Sequence, residues 1–251
     1  MTARTHGRIR IEDGAKRVRV MLGGETVADT KAVKLVWEKP YYPTYYFPAA
    51  DVRTDLLVDT GEVHATPSRG QARIHTIKAG SREAPAAVRW YVESDIDELT
   101  GHVTFDWKAM DSWFEEDEEV YVHARDPYTR VDILQSSRRV EVFVDGVEVA
   151  DSHQPRLLFE TGLPVRYYLP KTDVRMDLLT PTDLATECPY KGVASYYSVT
   201  VGDALHENLV WWYPFPVEES SKIAGYVSFY NEKVDIVVDG VPQERPNTKF
   251  S

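Results

Sequence analysis

The chain repeats itself, and this constrains its fold more than any single motif. Shifted by 122 positions, Arg17 to Leu57 aligns on Arg139 to Leu179 without a gap, and 18 of the 41 pairs are identical. The match includes Asp51-Val52-Arg53 and Asp55-Leu56-Leu57 against Asp173-Val174-Arg175 and Asp177-Leu178-Leu179. The same register later sets Pro67 on Pro189, Arg69 on Lys191, Gly70 on Gly192 and Trp90-Tyr91 on Trp212-Tyr213. One register held over such a distance marks a duplicated unit. A first domain over residues 1–126, a connector over 127–138 and a second domain over 139–251 are expected.

Each copy carries strand signals. Arg17-Val18-Arg19-Val20 and Arg139-Val140-Glu141-Val142 alternate polar with apolar, the period of a half-buried strand. Gly23-Gly24 and Asp145-Gly146 follow, pairs that reach positive φ easily and so suit a two-residue hairpin turn. β-branched and aromatic runs then recur, interrupted by turn residues at short intervals, and helical periodicity is weak. The expected fold is all-β: two similar antiparallel sandwiches or partly open barrels with little helix. Short helical turns are predicted over Trp107 to Phe114 and Glu218 to Lys222.

Composition narrows the function classes. With 29 basic against 40 acidic side chains the net charge is -11, which disfavours a sequence-independent nucleic-acid binder. No apolar run is long enough for a membrane helix, and the opening MTARTHGRIRIEDG has no apolar stretch of the secretory kind. A cytoplasmic protein is expected. The single cysteine, Cys188, excludes an internal disulfide and multi-cysteine zinc sites. Phosphate-loop, dinucleotide, HExxH and GxSxG patterns are missing, so no cofactor and no metal are expected. The acidic run Glu115 to Glu119 reads as a solvated face or loop.

One constellation remains, in the second copy: Cys188-Pro189-Tyr190-Lys191-Gly192, then Ala194-Ser195-Tyr196-Tyr197. Proline presets φ and the later glycine allows a left-handed close, so a tight turn should present Cys188 and Lys191 together. A nearby ammonium favours thiolate, which would make Cys188 reactive; the competing reading is a small buried hydrophobe beside a solvated lysine. In the extended reading of Asp173 to Asp177, alternation puts Asp173, Arg175 and Asp177 on one side, as an ion-pair cluster or an Arg fork for an anion. Tyr196, Trp212 and Tyr213 suit the wall of a half-wet cleft edged by Lys191 and Arg175, or ordinary core packing.

DVRTDLL and DVRMDLL, CPYKGVASYY, WWYPFP and IAGYVSFYNEKVDIVVDG, taken together, resemble the domain of unknown function four-two-seven family, sometimes labelled nucleotidyltransferase-like. The stretch MDSWFEEDEEVYVHARDPYTRVDIL is similar to the connection in its tandem bacterial members. The resemblance covers nearly the whole chain and implies a small, mostly antiparallel β domain, here doubled. Its transferase label implies nucleotide chemistry, yet the glycine-serine and paired aspartates of a nucleotidyltransferase palm are absent. The first copy reads Thr66-Pro67-Ser68-Arg69-Gly70 where the family pattern has Cys-Pro-x-Lys-Gly, and Ile74-His75 replaces the tyrosine pair. A scaffold role is therefore expected of the first domain and a site of the second.

Three function classes stay open. In the leading one the second domain binds a small molecule or peptide against Tyr196, Trp212 and Tyr213, with Arg175, Asp177 and Lys191 at its polar end. The second is an enzyme using Cys188 as nucleophile, or Lys191 with Asp177 in group transfer. The third is a purely structural or interaction protein, with a homo-oligomer as one form.

Overall fold

A computed structural model of the chain describes residues 4–6, 9–248 and 250–251. It divides into two compact units, Met1–Asp126 and Pro127–Ser251. Each unit pairs one large antiparallel sheet with one four-stranded sheet, so the all-β expectation holds. In the second unit the large sheet runs Val131–Gln135, Arg156–Glu160, Arg166–Pro170, Tyr226–Phe229, Ala204–Trp212, Gly192–Val201, Leu179–Cys188. The first unit repeats that order and adds a strand, Arg4–His6, at one edge.

The duplication is strand for strand. Ile9–Asp13 lies 122 positions before Val131–Gln135, Val18–Leu22 before Val140–Val144, Leu57–Thr66 before Leu179–Cys188, and Gly70–Ala79 before Gly192–Val201. Both turns expected to open the small-sheet hairpins take positive φ at their two central residues, Gly23 and Gly24 in one unit, Asp145 and Gly146 in the other. Residues 131–135, read from sequence as connector, instead form an edge strand of the second large sheet, because Ile133 buries against Leu158. The helical turn expected over Trp107 to Phe114 shortens to a 3-10 turn, Trp107–Ala109, followed by the strand Ser112–Glu115. Trp113 is the reason: it joins the inter-sheet core, where an alternating strand can deliver it. The acidic run crosses the tip of a hairpin, except that Glu115 turns inward and meets Tyr45 Oη and Lys16 Nζ, each at 2.5 Å.

Each unit has two cores. The larger lies between the sheets and holds Val18, Val20, Phe47 and Val88 in the first unit and Val140, Val142, Leu169 and Val210 in the second. The smaller lies on the far face of the large sheet and is closed by the segment following the long third hairpin strand: Ile96 and Leu99 in the first unit, Ile223 in the second. Adjacent aromatics therefore part company, since neighbouring side chains on a strand face opposite ways. Tyr45, Trp90, Tyr167 and Trp212 pack toward the inter-sheet core, and Tyr46, Tyr91, Tyr168 and Tyr213 toward the far-face core. The edge strands Leu57–Thr66 and Leu179–Cys188 are largely exposed, and each carries a register shift, between Asp59 and Val63 and between Pro181 and Ala185.

Candidate functional site

The turn singled out by its sequence forms at the end of an exposed edge strand. Lys191 N–H donates to Cys188 C=O at 3.3 Å, and Cys188 pairs with Gly192, whose φ is +96°. That conformation favours glycine. Space is tight as well, since a Cβ on Gly192 would sit 3.2 Å from the Phe215 carbonyl oxygen and 3.4 Å from Val217 N. The segment after Tyr213 thus lies directly on the turn, bridging Gly192 through Pro216 and donating from Val217 N–H to Lys191 C=O at 3.2 Å. Ser220 Oγ adds a bond to the Tyr190 carbonyl at 2.8 Å.

Pinned this way, Lys191 points inward instead of to solvent. It is only 9% exposed, and its Nζ lies 2.5 Å from Glu160 Oε2 at the end of strand Arg156–Glu160. Burial opposes the ammonium, but Cys188 and Glu160 outweigh it and hold the Lys191 pKa above its ordinary value. Cys188 stays partly exposed and packs against the far-face core. The same core brings in Tyr196 and Tyr213. Tyr196 Oη is 2.8 Å from Thr186 Oγ1, and Tyr168 Oη accepts from Trp211 Nε1 at 3.0 Å. The Tyr213 hydroxyl is pushed well above the usual tyrosine range by burial first, then by Tyr168 and Cys188.

The other residues expected at this site lie elsewhere. Trp212 faces the inter-sheet core, stacked on Tyr197, with Lys171 Nζ 3.3 Å over its ring. Arg175 and Asp177 are not on one side of an extended segment: two 3-10 turns, Lys171–Asp173 and Met176–Leu178, flank Arg175. Its guanidinium folds onto Asp177 through two bonds of 2.9 and 2.6 Å, and both side chains are more than half exposed. Asp173 accepts from Ser152 Oγ at 2.7 Å and so braces the corner to the small sheet. The same pairs recur as Arg53 with Asp55 and Asp51 with Thr30, which fits a structural role in both units. An open cleft walled by aromatics does not form either, because Tyr196, Trp211 and Tyr213 are all buried. Lys191, Cys188, Tyr196 and Tyr213 come together; Arg175, Asp177 and Trp212 do not join them.

One member of the cluster, Glu160, escapes a reading of local motifs; its signal lay in the repeat register, which sets Glu38 on Glu160 just as it sets Tyr46 on Tyr168. The first unit builds the corresponding cluster from Arg69, Glu38, Tyr46 and Tyr91. Arg69 pairs with Glu38 and donates from Nη1 to Tyr46 Oη at 3.1 Å. Tyr46 Oη donates to Glu38 Oε1 at 2.6 Å, and Tyr91 Oη lies 3.5 Å from it. Thr66, in the place of Cys188, has Oγ1 3.4 Å from Arg69 Nε. Burial opposes the charge on Arg69, yet Tyr46 and Glu38 raise its pKa above the ordinary value.

Glu160 has a second neighbourhood. With Arg130, Asp132, Phe159, Thr161 and Leu163 it lines a depression of about 280 Å³ on the second unit. Phe159 is 39% exposed there, and Arg130 Nε pairs with Asp132 Oδ1 at 3.0 Å. The depression offers an apolar patch beside charged groups, and behind its Glu160 wall lie a buried ammonium and a thiol. Such a set can orient a small amphipathic molecule.

The model of a family described as a domain of unknown function, DUF427, matches residues 10–116 and again 132–240. No curated protein matches the chain. The two matched segments each contain one cation–glutamate–tyrosine cluster.

Proposed function

Because the chain belongs to the DUF427 family, with one family domain in each half, we propose that it is a binding protein whose second domain takes a small molecule in the depression at Glu160. One observation carries this: Glu160 is shared between a solvent-facing hollow on the second unit and the buried Lys191–Cys188 cluster. The apolar part of the ligand would lie on Phe159 and Leu163, and its polar part would meet Glu160, Arg130 and Asp132. Lys191 fixes the Glu160 carboxylate from behind, so the wall is pre-set before the ligand arrives, which lowers the entropy cost of binding.

A thermal-shift panel of nucleotides, carboxylates, amines and sugars tests the reading. A true ligand at 100 times its dissociation constant adds about 2.7 kcal/mol to stability, and Phe159→Asp should remove that gain. A panel with no shift at millimolar concentration, or a shift unaffected by Phe159→Asp, would sink the proposal.

Thiol chemistry at Cys188 is the second reading, favoured by the electrostatic contact between its sulfur and the Lys191 ammonium. Iodoacetamide labelling against pH separates it from plain binding. A Cys188 that labels with an ordinary midpoint near ~8.5, or not at all in the folded protein, removes the nucleophile.

A further inference from the structure

The duplication supplies an internal comparison for the depression at Glu160. Two of its lining residues, Asp132 and Phe159, lie opposite one another on neighbouring strands. The repeat register sets them on Arg10 and Trp37, which pair in the same way in the first unit. There the position holds a cation: the Arg10 guanidinium lies over the Trp37 ring, 4.6 Å from its centroid, and its Nε donates to Glu12 Oε1 at 2.7 Å. Trp37 is 6% exposed. In the second unit an aspartate stands in the place of the arginine, Phe159 is 39% exposed, and among the described residues no cation covers its ring. Two carboxylates line the depression with that ring. Lys191 Nζ engages Glu160 through Oε2, and Arg130 Nε holds Asp132 at 2.9 and 3.0 Å while its own side chain is 79% exposed. An exposed pair of this kind is weak, so Arg130 can give way to a better-seated cation.

We propose that the depression binds the guanidinium group of a small molecule, stacked on Phe159 as Arg10 stacks on Trp37, with its N–H edge on the carboxylates of Asp132 and Glu160. The inference rests on the binding reading above and deepens it by naming the chemical class of the ligand. An aromatic ring attracts a cation through its negative face. A guanidinium suits the place better than an ammonium, because it is planar, more weakly hydrated, and donates along its edge to carboxylates. Charge points the same way. Where the first domain carries Arg10 the second presents Asp132, and a net charge of -11 draws cations to the protein. Leu163 supplies an apolar wall for the ligand's stem. At about 280 Å³ the depression lies just under the usual span of roughly 300–1,000 Å³ for ligand pockets, which fits a group of this size. The first domain, whose own Arg10 fills the position, needs no guest.

The test uses the full chain with ring-labelled phenylalanine, titrated by NMR at constant ionic strength with butylguanidinium and, separately, with butylurea and pentanoate. Concentrations run up to about 50 mM, the range that probes of so few atoms require. Butylguanidinium should give a saturable shift of the Phe159 resonance, and the uncharged and anionic probes only a small linear drift. Asp132→Arg, which copies the first domain and gives the ring a cation of its own, should weaken butylguanidinium binding about tenfold while the melt stays cooperative. Asp132→Asn, which removes the charge and keeps the shape, should weaken it roughly threefold. The proposal is overturned if butylurea or pentanoate saturates as well as butylguanidinium, or if either Asp132 variant binds it unchanged. A blocked arginine-centred tripeptide should bind no more tightly than butylguanidinium; clearly tighter binding would make the ligand a peptide side chain and overturn the small-molecule assignment. Should butylguanidinium fail while the ligand panel still yields a hit that depends on Phe159, the guanidinium assignment falls alone; should both fail, the binding reading falls with it.

Discussion

Lys191 and Glu160 decide much at the scale of single residues. Their side chains are 11% and 10% exposed, so each is tolerated inside only because the other is there. Lys191→Met should therefore cost about 3 kcal/mol in urea-denaturation stability, and adding Glu160→Met should recover most of the loss, because two apolar side chains leave no stranded charge. Equal stability of wild type and the single variant would show that the pair is not buried as described. His102 offers a pH reading. Burial lowers its pKa below the ordinary 6.5, so the unfolded chain takes up the proton first. That stabilising contribution is present above about pH 6.5 and is lost as pH falls toward the depressed folded value. His102→Gln should flatten the stability profile in that window, and an unchanged slope would remove His102 as its source. How far the sequence exposed these residues varied. Lys191 and Cys188 were visible as a local motif with turn chemistry. Glu160, 31 positions away, becomes their neighbour only through sheet order, which one-dimensional spacing does not encode. Arg175 looked available because the alternation of a strand was assumed, whereas Arg175–Asp177 closes on itself across a 3-10 turn.

At the scale of elements, the hairpin turns were the most legible feature, since glycine pairs between alternating runs have few other uses. Gly23 and Gly24 both adopt positive φ, at +60° and +80°, but differ in surroundings. A Cβ on Gly23 would lie 2.0 Å from the Ala79 carbonyl oxygen, while nothing lies within 4 Å of one on Gly24. Gly24→Ala should therefore cost about 1 kcal/mol, the strain of a left-handed residue, and Gly23→Ala distinctly more, because two backbones must separate. Matched urea titrations check this, and equal losses would mean that the two hairpin tips do not touch. The far-face core was the least legible element. A pair such as Tyr45-Tyr46 reads as one buried and one exposed ring when only one face of a sheet is thought covered. The segment carrying Ile96 and Leu99 covers the second face, and no periodic pattern announces it.

The whole molecule is two self-sufficient units, each with an inter-sheet core and a far-face core of its own. Residues 127–251 produced alone should therefore give a β-type circular dichroism spectrum and a cooperative melt; a non-cooperative melt would mean that this half depends on the other. Acid sensitivity also belongs at this scale. Asp29, Asp151 and Glu232 have lowered pKa values: bonds from Arg17 and Arg139 hold down the aspartates, and Arg166 and Thr248 offset the burial that would raise Glu232. A depressed carboxylate contributes its stability above the unfolded value and loses it as pH falls through the folded one, so the urea midpoint should drop below about pH 4. Doubling by a fixed register was readable from the sequence alone; the assignment of 131–135 to the second sheet was not, because that strand lies before the part of the alignment with most identities.

The kinked outer strands carry a consequence for life at high concentration. Among the described residues, Leu57–Thr66 and Leu179–Cys188 have no sheet neighbour on one side and leave a row of amides and carbonyls there, an invitation to stacking between molecules. Gly61 at φ +78°, Pro181, and the carboxylates Asp59, Glu62, Asp183 and Glu187 break the straight ladder that a growing fibril would copy. Straightening either strand should promote aggregation from the native state.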